Sequence, residues 1–166
     1  MFGVKSRKVI AVAGLLLVAL LLTGTVHAAK GSSSGTLTDR LDVPECGTDS
    51  SAGSYRVTFK RNGTWAGTFD GIRFNGKYKQ RLNGRVLKLR FSKKSRARFV
   101  KAMKQWATEV CETNVDITKL TYSMTFKLNK KRNQLSGIVK SRIAGRTRYG
   151  TGTGVYTGNL SGKWSR

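Results

Sequence analysis

The sequence predicts a mainly β (α+β) domain: about eight antiparallel strands as a meander or small barrel, with one amphipathic helix at about 93–110 between strands 4 and 5. Three observations point there. Beyond residue 54, apolar and polar residues alternate over most of the chain, as half-buried strands require. Asn62-Gly63, Asn75-Gly76 and Asn83-Gly84 separate alternating segments, and Asn-Gly suits the positive φ angles of a tight hairpin turn. One stretch switches to helical spacing.

Residues 1–28 have the layout of a secretory signal peptide. Lys5, Arg7 and Lys8 precede an apolar run from Val9 to Leu22, and Val26-His27-Ala28 places small residues before a cut near Ala28. The alternative is an uncleaved N-terminal helix acting as an anchor, which at this length falls short of the roughly 20 apolar residues that span a bilayer. Cleavage leaves 138 residues, enough for one core, and removes His27, the only histidine.

Residues 29–53 read as a flexible acidic leader. Gly31-Ser32-Ser33-Ser34-Gly35 has linker composition, and Pro44 is the only proline. Ordered β structure is expected from Ser54, in a single domain over 54–166. Strand-like segments run over 54–61, 64–74, 77–82 and 85–91, with a bulge expected at Asp70-Gly71, where the phase of the second segment shifts. Phe99, Met103, Trp106 and Val110 then recur at helical spacing, with Ser92 as N-cap and Cys111 at the end. Alternation resumes at 120–128, 135–143, 148–157 and 160–164. Eight strands can close into a barrel and lose their edges, with the helix over one mouth; a curved open sheet around the helix is the competing arrangement. Gly150, Gly152, Gly154 and Gly158 read as bending and close-approach positions. They do not read as a phosphate loop, because no helix and no Gly-Lys-Ser/Thr ending follows.

Charge is the chain's second signature. Without residues 1–28 it has 29 Lys and Arg against 8 Asp and Glu. Thirteen basic residues and no acid lie between Arg73 and Lys104, and eleven more and no acid between Ile117 and Arg166. Such an excess is far above the roughly 2 to 8 charges that keep a small domain soluble, and it attracts anionic partners. The residues expected to bind them are Lys77, Lys79, Arg81, Lys88 and Arg90 on the strands, and Lys93, Lys94, Arg98, Lys101 and Lys104 on the helix.

Cys46 and Cys111 form an even pair, which in an oxidising compartment predicts a disulfide. A chain without histidine lacks the usual base for a Ser or Cys nucleophile, so a non-catalytic role is expected, with no cofactor and no metal. Asp70 could aim a carboxylate inward or simply serve a turn. Glu109, Glu112 and Asp116 cluster near the helix end, with sparser oxygen ligands than a calcium loop has. Most aromatic residues fall on the inward phase; if the barrel is hollow, Trp65, Phe69, Leu89, Phe91, Tyr122 and Phe126 line it. Tyr78, Tyr149 and Tyr156 fall among Lys77, Lys79, Arg146 and Arg148, a pattern that can stack bases or sugars outside.

An exported small barrel with one helix, one disulfide and Gly63-Thr64-Trp65 near an early strand resembles the lipocalin carriers, although here the helix lies mid-chain. That resemblance implies a small apolar ligand inside the barrel. The expected function is that of a secreted or periplasmic binding protein whose cationic surface engages an anionic polymer or a membrane or envelope surface. The alternatives are a lipocalin-like carrier and a secreted structural or protein-interaction factor.

Overall fold

The computed structural model describes residues 30–148 and 150–166. The signal-peptide reading and Tyr149 lie outside the described residues. Eight antiparallel strands form a closed barrel, each pairing with the next and β1 with β8. In order they are β1 (Gly31–Val43), β2 (Gly47–Phe59), β3 (Thr64–Phe69), β4 (Ile72–Arg81), β5 (Val86–Phe91), helix α1 (Lys93–Val110), β6 (Asp116–Leu128), β7 (Gln134–Thr147) and β8 (Gly150–Ser165).

The strand total agrees with expectation, but the strands are cut differently. The supposed leader is β1 and the first half of β2, paired without interruption from Gly31↔Phe59 to Val43↔Gly47. Its serines and glycines look like linker in isolation, yet Leu37 and Leu41 bury a period-two face that the barrel needs for closure. Asp70-Gly71 is a hairpin turn rather than a bulge, with φ of 45° and 77°. Positive φ at both central residues matches the twist of the flanking strands. Conversely, Asn75-Gly76 lies inside β4. From Gly150 onward, the two regions expected as separate strands up to 157 and over 160–164 form one continuous strand, β8. The helix therefore follows the fifth strand, not the fourth.

Gly76 is needed for close approach. A Cβ there would sit 1.8 Å from the Arg90 carbonyl oxygen and 2.9 Å from Trp65 Nε1. The indole occupies that space and donates to the Arg90 carbonyl at 3.2 Å. Asn75 holds the helix: its backbone N–H donates to Ser95 Oγ at 2.8 Å, and its side-chain oxygen accepts from the Ser92 and Ser95 hydroxyls. Ser92 also caps α1 as expected, accepting from the Ser95 N–H.

Because all neighbours are antiparallel, the β1–β2, β3–β4, β5–α1–β6 and β7–β8 connections emerge at one end. The helix touches β1, β2, β4, β5 and β6, so it lies across this mouth. Phe99, Met103 and Ala107 form its buried stripe. The Cys46–Cys111 disulfide, with Cα atoms 4.7 Å apart, ties the helix C-terminus to the β1–β2 turn at the same end. This bond fits an oxidising, extracytoplasmic setting. The far end is filled: Phe59, Trp65, Leu87, Phe126 and Leu135 are almost wholly buried. Phe59 meets Tyr78, Trp164 and Phe126 at ring-centroid distances of 5.2, 5.6 and 6.1 Å.

Candidate functional site

Two features stand out, one outside the barrel and one at its mouth. The outer face of the β4–β5 hairpin displays Lys77, Lys79 and Arg81 on one strand and Lys88 and Arg90 on the other, all exposed. In register, Lys77 faces Arg90 and Lys79 faces Lys88. Directly opposed like charges destabilise a sheet. Lys127 extends the row on β6, and Arg132, from the β6–β7 turn, donates to the Asn83 carbonyl at 2.8 Å beside the β4–β5 turn. None of these cations forms an ion pair among the described residues.

The helix continues the surface only in part. Arg98 Nη1 donates to the Arg73 carbonyl at 2.9 Å, which brings the first half of α1 against the start of β4. Lys93 and Lys94 occupy the first helical turn, which contains no acid. Cations are disfavoured there, at the positive end of the helix dipole. Lys101 is exposed further along. Lys104 pairs with Asp116, at the start of β6, at 3.7 Å. Alone among the ten expected anion-binding residues, it has an ion-pair partner among the described residues.

The second feature is a cavity of about 390 Å³ between α1 and the barrel mouth. Phe69, Phe74 and Phe91 line it from the strands, Phe99 and Trp106 from α1, and Tyr156 from β8. Four carboxylates also line it: Asp39, Asp49, Asp70 and Glu109. Asp39 points inward from β1 and accepts from the Tyr156 hydroxyl at 2.7 Å. Burial pushes its carboxyl above the usual carboxylate range; the Tyr156 hydrogen bond opposes this, and the nearby Asp70 charge adds to it. Burial, followed by the Asp39 charge, likewise raises the Tyr156 phenol. Gly158 makes room for this pair, since a Cβ there would lie 2.6 Å from the Tyr156 hydroxyl and 2.7 Å from Asp39 Oδ1. On β2, Asp49 accepts from the Trp106 indole N–H at 2.6 Å, which links the helix to the rim.

Of the expected lining residues, Phe69 and Phe91 face this cavity. Trp65, Leu89 and Phe126 are buried in the packed core. Tyr122 packs against Phe91 with ring centroids 4.9 Å apart, and its hydroxyl accepts the Phe91 backbone N–H. Tyr78 and Tyr156 are inward and buried, not outward stacking platforms. Their phase follows from β4 and β8 each being one unbroken strand. Asp70 serves both its readings, forming the β3–β4 turn and lining the mouth. Glu109 accepts from Gln105 at 3.1 Å, and among the described residues no three His, Cys, Asp or Glu side chains are placed to hold a metal.

Sequence reasoning missed Asp39 and Asp49. A signal existed: Asp39 alternates in phase with Leu37 and Leu41, and Asp49 and Ser51 are in phase with Tyr55, Val57 and Phe59. Reading 29–53 as a leader hid it. No known family model and no curated protein matches the chain.

Proposed function

We propose that this is an exported, non-catalytic binding protein whose outer β4–β5 wall attaches to an anionic polymer or an anionic membrane or envelope surface. The observation that carries this reading is the pairing of Lys77 with Arg90 and Lys79 with Lys88. These contacts cost sheet stability, and an anion laid across the hairpin relieves the cost. Alternate residues on a strand repeat at about 7 Å and neighbouring strands at about 5 Å, so the wall is a regular grid suited to a repeating anion. Lys93, Lys94 and Arg98 extend it towards the mouth. The signal-peptide layout and the disulfide support a secreted or periplasmic location, with a cut near Ala28. The lack of histidine after residue 27 supports a non-catalytic role.

The test is retention on immobilised heparin and on anionic vesicles across a salt series. Log affinity should fall linearly with log salt, because bound polyanion releases counterions. Lys79→Glu with Arg90→Glu should shift elution to much lower salt. Salt-independent retention, or retention unchanged by this pair, sinks the proposal.

The mouth cavity favours a second reading, carriage of a small ligand. Cavities of about 300–1,000 Å³ with apolar linings and a few polar groups are typical of small-molecule sites. The filled far end confines any such ligand to the mouth.

A further inference from the structure

We infer that the barrel mouth binds a small amphipathic organic cation, an ammonium head on an apolar body. The inference rests on the carrier reading and names its ligand class. It is independent of the cationic wall.

The sign of the cavity is opposite to that of the molecule. The chain has 32 Lys and Arg and 8 Asp and Glu. Four of those eight acids line this single cavity, and among the described residues no Lys or Arg does. No ion pair engages the four carboxylates among the described residues. Asp39 accepts one phenol hydrogen bond, and Asp49 accepts the Trp106 indole and the Ser50 amide N–H. These neutral donors orient the carboxylates and leave their charges unmatched. An ammonium group at the rim would match them.

The apolar part completes the argument. Phe69, Phe74 and Phe91 form an apolar floor on the strands and Phe99 packs onto it from α1, while Trp106 and Tyr156 also line the cavity with ring centroids 6.0 Å apart. Aromatic faces attract ammonium groups, and the contact strengthens as water is excluded. A neutral or anionic ligand of the same shape would use the floor but leave the rim unanswered or opposed. A compact metal ion is a poorer match, because among the described residues no three of these side chains come together as ligands. The positive wall does not forbid a cation here. At physiological ionic strength the screening length is about 8 Å, so carboxylates that line the cavity outweigh solvent-exposed charges on the barrel's outer surface.

The test uses three ligands with one body: 4-phenylbutylamine, 4-phenylbutanol and 4-phenylbutyrate. Each is titrated into the oxidised protein at physiological salt, followed by Trp fluorescence and amide NMR shifts. The amine should bind at least about tenfold more tightly than the alcohol, with the carboxylate weakest. Shifts should concentrate on α1 and the β1 and β2 residues of the rim. Asp39→Asn and Asp49→Asn should each weaken the amine about tenfold and leave the alcohol nearly unchanged. Lys79→Glu, on the outer wall, should leave all three unchanged. The NMR spectra also report whether each variant is folded. Equal binding of amine and alcohol overturns the cation assignment and leaves the carrier reading standing. No binding of any of the three at millimolar concentration overturns both.

Discussion

Asp39 is a carboxylate on the inward face of a β-strand, held by one phenol and facing a second carboxylate, Asp70. Because burial raises its pKa, the folded state binds its proton more readily than the unfolded chain does. Its effect on stability therefore worsens as pH rises from the ordinary carboxylate range through the raised folded value. Asp39→Asn keeps an acceptor for Tyr156 and removes the buried charge. It should make the protein more resistant to urea at pH 7, and the advantage should shrink as pH falls through that window. An advantage that grows on acidification would contradict this account. The groups facing Asp39 across the cavity, Asp49, Asp70, Glu109 and Tyr156, are all acidic or neutral, so none compensates its charge. Gly76 makes a different residue-scale demand. Gly76→Ala drives a methyl into the Arg90 carbonyl and the Trp65 indole, and should cost about 3 kcal/mol by chemical denaturation.

At the scale of elements, the β4–β5 hairpin sets function against stability. Lys79→Glu with Arg90→Glu converts two repulsive cross-strand pairs into two attractive ones, Lys77 opposite residue 90 and residue 79 opposite Lys88. Each exchange is worth roughly 0.2–1 kcal/mol, so the double variant should melt at higher temperature while losing polyanion affinity. A variant that loses both stability and affinity would show that the wall is structural. The helix start is a second element-scale case. Ser92 caps α1 and also donates to Asn75 on β4, so Ser92→Ala removes two contacts. A loss of about 1–2 kcal/mol is expected by denaturant titration, above the typical cap alone.

For the whole molecule, the disulfide and the mouth are one device. Cys46–Cys111 spans 65 residues of sequence and fastens the helix end over the opening. Replacing both cysteines with serine should cost on the order of 4 kcal/mol in the loop-entropy account. Amide exchange should accelerate most along α1 and around the β1–β2 turn, and least in the packed far end around Phe59 and Trp164. Uniform acceleration would mean that the bond stabilises the barrel globally and does not pin its cover.

What the sequence determined by itself is local. Period-two alternation marked the β class, period 3.6 marked α1, Ser92 marked its start, and two cysteines marked their bond, because each signal is set by neighbours a few residues apart. The eight-strand total agreed partly through offsetting differences: β1 was read as linker, Asp70-Gly71 as a bulge and β8 as two strands. Only tertiary structure decided these, since strand pairing is a long-range property that overrides turn propensity at Asn75-Gly76 and linker composition at Ser32–Ser34. The same pairing set Lys77 against Arg90, and closure of β1 on β8 carried Asp39 to Tyr156, 117 residues away. No local pattern records which charges a barrel will gather at its mouth.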